Sequence, residues 1–511
     1  MDTNIRNLTA LELGELIKNK KISSAEAAKI YLDAAKLDFD KLAGDETKIN
    51  AFTEITEESA LAAAEAVQKR IDKKELLSPL AGVPVLIKDN ICSTEGYTTA
   101  ASKILGGFRS PFDADAVTKL RAAGAVVIGK TNMDEFAMGS TTENSCYGFV
   151  RNPWDLSYVP GGSSGGSAAA VTAGLAPYAL GSDTGGSVRQ PCGFCNLTGI
   201  KPTYGSVSRY GLAAYASSLE QIGPMALDAR DLAVSLSIIS GRDERDSTSS
   251  IEKPFDFCDI LHGSGSDSLA GRIIGLPKSY FDLPELNENV KALVLEAADT
   301  MRSLGAEIRE IELPLLEYGV PAYLVIACAE AGSNLARYDG VKYGHRSAPA
   351  ETIEEVYSKS RGEGFGAEVK RRIIFGYFVL SSDNFDTYFL RAQKVRGMIQ
   401  EAYNLALEDC DLILTPVSPT TAYGIGERTD DPISMYLGDI YTASLNLTGL
   451  PGAAAPCGFS KDGMPVGMQL IGKKFNDGVI LDTIMRYQQA TEFHKARPRG
   501  VFSDIQARGE R

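Results

Sequence analysis

Between Pro160 and Pro191 the chain reads PGGSSGGSAAAVTAGLAPYALGSDTGGSVRQP, two Gly/Ser clusters around a run of small apolar residues. Glycine lets a backbone take positive φ and brings free N–H groups close to a reacting atom. Each cluster offers a serine at a defined place, Ser163 in the first and Ser187 in the second. These residue types suit nucleophilic attack on a carbonyl, provided that a base takes the serine proton.

The base is the open question. Gly161-Gly162-Ser163-Ser164-Gly165 satisfies G-x-S-x-G, and a chain order of Ser, Asp and His494 is formally present. A nucleophile elbow needs a strand running into the serine, whereas Ser163 follows NPWDLSYVPGG, a turn-prone segment with two prolines. The three histidines, His262, His345 and His494, sit in no motif and read as surface or capping residues. Lys88, 75 residues before Ser163, ends the buried-strand pattern GVPVLIKDN. Burial lowers a lysine pKa by up to ~3–5 units, so a lysine there can be a neutral base. The alternative is a lysine that snorkels out of a strand end.

Lys88 in PVLIKDN, GGSSGGSAAAV and GSDTGGSVRQP together resemble the amidase signature family. The likeness continues through NMDEFAMGSTTENS, RNPWD, KPTYG, SRYGL, SSLEQIGP and LTGLPGAAAPCG, nearly the whole chain. It implies a Ser–cis-Ser–Lys triad: Ser187 as nucleophile, Ser163 as bridging serine on a cis peptide, Lys88 as base. It also implies an α/β fold with a large mixed sheet covered by helices on both faces. The candidate oxyanion donors are the N–H groups of Thr184, Gly185, Gly186 and Ser187, each worth roughly 3 kcal/mol in such a role. Ser164 and Ser167 read as lining or capping a helix N-terminus.

Within the family, MDEFAMGSTTENS, YGFVRNPWD and YASSLEQIGP resemble the glutamine-hydrolysing subunits of tRNA-dependent amidotransferases. That implies partner subunits B and C in a heterotrimer, aminoacyl-tRNA met through the complex, no cofactor in this chain, and ATP and Mg2+ at the partner. Glutamine needs a cation for its α-carboxylate and an acid for its α-ammonium. The resemblance places these at Arg372, chosen over Arg371, and Asp439, with Tyr323 lining the pocket. A stand-alone amidase acting on small or aryl amides is the alternative.

Several elements must position these residues. The spacing predicts two helices over residues 9 to 36, with Ser23-Ser24-Ala25-Glu26 as a capping box, and another from Glu57 to about Lys73. A helix of about Ala114 to Ala123 precedes the strand AVVIGKT. Gly124, Gly129, Lys130 and Thr131 match a phosphate loop, but the residues between are strand-like where a loop is required, so the match reads as accidental. KPTYGSVSRYGL and SSLEQIGPM read as turn-rich segments around the site. Gly263 to Asp267 reads as a flexible loop, and RIIGLP, the helix from Val290 to Leu304 and AEIREIEL read as a strand–helix–strand unit. A helical stretch from about Thr352 to Asn404, a strand DLILTPVSP, paired strands GAAAPCGF and GMPVGMQLIG, and a helix near Asp477 to Thr491 complete the pattern. Alternation of strands and helices makes the class α/β with a mixed sheet. We expect one amidase domain over 1–511: an N-terminal helical segment (1–75), the signature region (76–250) and the substrate-pocket and C-terminal region (251–511).

The totals narrow the function. With 52 basic and 66 acidic residues the net charge is −14, which disfavours direct binding of a polyanion. No apolar run reaches ~18 residues and the N-terminus lacks a signal-peptide pattern, so a cytoplasmic protein with reduced thiols is expected. Cys192-Gly193-Phe194-Cys195 is a lone C-x-x-C and reads as two reduced structural cysteines. The Asn-Leu-Thr triplets at Asn7, Asn196 and Asn446 carry no glycosylation meaning without secretion.

Overall fold

The computed structural model describes residues 5–39, 47–75, 78–250, 268–428 and 431–498. The expected loop at Gly263 to Asp267 lies outside the described residues, as does His262.

Eleven strands form one sheet: β1 (Phe52–Ile55), β2 (Pro84–Lys88), β3 (Val126–Thr131), β4 (Tyr178–Asp183), β5 (Thr198–Lys201), β6 (Gln221–Ala226), β7 (Ile273–Pro277), β8 (Glu307–Ile311), β9 (Leu412–Pro416), β10 (Gly452–Phe459) and β11 (Pro465–Gly472). Their order is β1-β3-β2-β4-β6-β5-β10-β11-β9-β7-β8. The sheet is mixed, with β3, β2 and β4 parallel at one side, β9, β7 and β8 parallel at the other, and antiparallel pairs between. Every residue of β2, β3, β4, β6 and β11 is buried. Successive strand side chains point to opposite faces, so both faces of this part of the sheet are covered.

Local signals hold where the pattern is strong. The capping box forms as read: Glu26 N–H donates to Ser23 Oγ at 3.1 Å and Ser23 N–H to Glu26 Oε2 at 2.8 Å, opening the helix Ser24–Phe39. Helices Glu57–Asp72, Asp115–Ala122, Glu288–Ser303 and Asp477–Ala490 match expectation within a residue or two. The unit β7–helix–β8 closes as a parallel pair.

SSLEQIGPM, read as turns, instead contains the central strand β6. Gly223 and Pro224 misled the reading, and the structure gives each a reason. A Cβ at Gly223 would collide with the carbonyl of Ile200 on β5, so close strand approach needs glycine. On its β5 side, β6 pairs only at Met225 and Ala226, so Pro224 forfeits no ladder bond there.

Candidate active site

Strands β2, β3 and β4 run parallel and end together at Lys88, Thr131 and Asp183, so the site lies off the carboxyl ends of parallel strands, the place where open α/β sheets gather ligands. Lys88 is fully buried, and its Nζ meets only oxygen: Ser163 Oγ at 2.7 Å, Ser164 Oγ at 2.8 Å, Ser182 Oγ at 3.0 Å and the Ser182 carbonyl at 3.3 Å. Burial pushes the amine down to about 7, although Asp134, Asp183 and Glu220 pull it back up from farther away. The lysine at the strand end therefore does not snorkel outward.

Both serine clusters are anchored on each other. The Gly162–Ser163 peptide is cis. Asp134 N–H donates to the Ser163 carbonyl at 3.2 Å, and Ser164 N–H donates to the Ser187 carbonyl at 3.2 Å. Ser164 precedes the helix Gly165–Thr172 without capping it through its side chain. Its hydroxyl instead holds Lys88 and donates to the Ser182 carbonyl at 3.2 Å, so Ser164 stands at the helix N-terminus as read from sequence but uses its side chain for the lysine. Ser167 sits inside the helix, against Leu180 O at 3.1 Å.

Ser187 lies near the end of the turn between β4 and the helix Arg189–Cys195 and is 7% exposed. The turn is held by Asp183, whose carboxylate accepts from Gly186 N–H at 2.9 Å, Val188 N–H at 3.1 Å, Asn446 Nδ2 at 3.0 Å and, along one edge of its guanidinium, Arg189 Nε and Nη2 at 3.0 and 2.9 Å. Burial alone would raise that carboxyl, but the Arg189 guanidinium outweighs it and holds Asp183 well below the usual range. Gly186 N–H, placed among the oxyanion donors by the sequence, is thus committed to Asp183. Thr184, Gly185 and Ser187 remain as donors whose N–H groups bond to none of the described residues.

Beyond this turn, Arg372 is buried, donating through Nε to Glu368 Oε1 at 2.7 Å and through a terminal nitrogen to Tyr215 Oη at 2.6 Å. Arg371 points outward, half-exposed, onto the other oxygen of Glu368. Burial works against the charge on Arg372, but Tyr215, Glu368, Tyr323 and Tyr436 outweigh it and raise its pKa well above the ordinary value. Tyr323 lies against the Ser187 turn, since a Cβ at Gly185 would sit 2.6 Å from its Cζ. Asp439 is half-buried with its carboxyl turned inward, where Ser140 Oγ donates to it at 2.6 Å. Burial pushes that carboxyl up to about 7. Asp439 also reaches the turn through Thr442, whose hydroxyl donates to Gly185 O at 2.7 Å.

The structure thus gathers Lys88, Ser163 and Ser187 at one end and Tyr323, Arg372 and Asp439 at the other. Sequence reasoning missed Ser182, Ser140, Tyr215 and Glu368. Only Glu368 had a signal, four residues before Arg372 on one helix face.

A model of the family described as amidase matches residues 36–481. The chain belongs to the amidase family. It is 51% identical over 493 residues to the glutamyl-tRNA(Gln) amidotransferase A subunit of Agathobacter rectalis, covering 96% of each chain. It is 52% identical over 494 residues to the corresponding protein of Carboxydothermus hydrogenoformans, covering 96% of this chain and 99% of that one. The crystal structure of the Thermotoga maritima glutamyl-tRNA(Gln) amidotransferase A subunit superposes with a TM-score of 0.75 at 40% identity, over 95% of this chain and 94% of that one.

Seen as an amidase, the chain also disposes of the competing motifs. Gly129, Lys130 and Thr131 lie within β3, and Lys130, fully buried, donates to the carbonyl of Ile91 and to Thr98 Oγ1 rather than facing a phosphate. His345 pairs with Glu363 at 3.0 Å, and His494, held down to about 4 by burial, lies in a short 3-10 turn near the C-terminus. Cys192 and Cys195 are buried free thiols whose pKa values burial pushes up. Among the described residues no helix is long and apolar enough to cross a membrane.

Proposed function

We propose that this amidase is the glutamine-hydrolysing subunit of a tRNA-dependent amidotransferase and works through Ser187, Ser163 and Lys88. The buried contact between Lys88 Nζ and Ser163 Oγ at 2.7 Å carries the reading, because a lysine titrating at about 7 can take a serine proton at neutral pH. Ser187 Oγ attacks the side-chain carboxamide carbon of glutamine while its proton passes through Ser163 to neutral Lys88. The resulting oxyanion lies against the N–H groups of Thr184, Gly185 and Ser187. Collapse returns the proton through the same serine to the departing nitrogen, which leaves as ammonia. Water then hydrolyses the acyl-serine ester to glutamate, again deprotonated through the relay.

Arg372 and Tyr323 hold the α-carboxylate and Asp439 the α-ammonium in this reading. ATP and Mg2+ act on a partner subunit, and ammonia passes there to amidate Glu-tRNA(Gln), with Asp-tRNA(Asn) as a second acceptor. A net charge of −14 supports leaving the tRNA to the partner. Subunits B and C need a surface to dock on. Helices Ala367–Leu380 and Arg391–Ala406 and the π turn Phe385–Leu390 expose the apolar side chains of Ile374, Tyr377, Phe378, Tyr388, Leu390 and Met398, with the rings of Phe378 and Tyr388 meeting at 5.4 Å. Such exposed apolar surface supports the subunit reading. The single sheet from Phe52 to Gly472 supports reading the chain as one amidase domain.

The test is to co-express the chain with subunits B and C and measure glutamine hydrolysis with and without Glu-tRNA(Gln) and ATP. Stimulation by both is expected, and full activity of the lone chain on simple amides would overturn the reading.

A further inference from the structure

We infer that Tyr215 is a positioning residue for the substrate α-carboxylate, fixing the Arg372 guanidinium that faces it. The inference rests on the glutaminase reading above, and it concerns which groups make that site select an amino acid over a plain amide.

Hydrogen-bond direction ties Tyr215 to the arginine. A guanidinium has five N–H donors and no acceptor, so Tyr215 Oη must accept at its 2.6 Å contact with Arg372. Tyr323 stands beside this pair: a Cβ at Gly185 would lie 2.8 Å from Tyr323 Oη, so that hydroxyl sits on the turn two residues from Ser187.

The same contacts fix the arginine. Glu368 takes Nε, Tyr215 takes one terminal nitrogen, and the other terminal nitrogen bonds to none of the described residues. Tyr436 braces Glu368 from the far side, donating to Oε1 at 2.8 Å. A carboxylate placed at the free terminal nitrogen of Arg372 meets a donor whose direction is already set, and a neutral amide lacking that group gains nothing from it. Tyr215 itself is fully buried and held by its backbone, with its N–H on Glu220 Oε2 at 2.9 Å and its carbonyl under Asn334 Nδ2 at 3.1 Å. Tyr215→Phe keeps the ring and both backbone anchors and removes only the hydroxyl.

The experiment compares glutamine with butyramide as substrates of the chain co-expressed with its partner subunits. For Tyr215→Phe the KM for glutamine should rise about tenfold or more with kcat within about threefold, and the glutamine-to-butyramide ratio of kcat/KM should fall by the same factor. Repeated in an Arg372→Lys background, the same change should add little, because the two side chains act as a unit. An unchanged ratio, or equal loss on both amides, overturns the role of Tyr215 while leaving the glutaminase reading intact. A wild-type complex that does not hydrolyse glutamine overturns both.

Discussion

Lys88 and Arg372 are buried to nearly the same degree, at 0% and 4% exposure, yet burial has opposite outcomes at the two ends of the cleft. Around Lys88 every close partner is a hydroxyl or carbonyl oxygen, the carboxylates stand farther off, and the amine falls to about 7. Around Arg372 a carboxylate is in contact and the charge is locked in. The chemistry of a buried cation is thus set less by its depth than by whether an anion touches it. One end holds a group that can change its protonation state, the other a group that cannot.

The largest test of this contrast is to delete the switchable end. Lys88→Met and Ser187→Ala should each lower kcat for glutamine by on the order of 10⁴-fold with KM little changed, measured in steady state on the assembled complex. Next in size is the ion pair that frames the nucleophile turn. Asp183 and Arg189 are both fully inaccessible, so Asp183→Asn leaves a buried guanidinium without its anion and should destabilise the fold by about 3–5 kcal/mol, read as a lowered midpoint in chemical denaturation. At the fixed-charge end, Arg372→Ala removes charged hydrogen bonds worth about 1.5–3 kcal/mol and should raise KM for glutamine by roughly 10–100-fold while sparing kcat.

The smallest test separates the ends by pH. Lys88 acts when neutral, so protonation as pH drops through about 7 should lower kcat about tenfold per unit below it. Asp439 works when ionised, and its carboxyl also titrates near 7, so KM should rise over the same range. Asp439→Asn should remove the acid limb from KM and keep it in kcat. Titration at one pH thus splits into two kinetic constants if the ends are as distinct as their surroundings.

Much of this was legible in the chain because it is local. The capping box at Ser23, the strands ending at Lys88 and Thr131, and the strand–helix–strand unit of β7 and β8 all announce themselves by spacing over a few residues. Ser163, Ser187 and Lys88 were legible as a candidate triad through a resemblance, and their setting was not. Ser164 looked like a cap because hydroxyls at helix starts usually are, and nothing in its neighbourhood shows that Lys88 arrives there from β2. Strand β6 was hidden because Gly223 and Pro224 are turn residues everywhere except where a neighbouring strand presses close or stops short. Tyr215 was hidden for a related reason, since its partners stand more than a hundred residues away in the chain. Sequence shows what a residue can do, and tertiary contacts decide which of its options is used.

The apolar surface on the helices that follow Gly366 has a consequence for supply as well as for assembly. Made in excess of the partner subunits proposed above, the chain would carry Ile374, Tyr377, Phe378, Tyr388, Leu390 and Met398 bare, and such apolar surface finds other surfaces. Its folded fraction would then track the amount of partner at hand, since a binding surface that is filled draws the equilibrium toward the folded state. If the chain is the subunit proposed above, matched synthesis with its partners follows from one side of this molecule, independent of anything that happens at the serines.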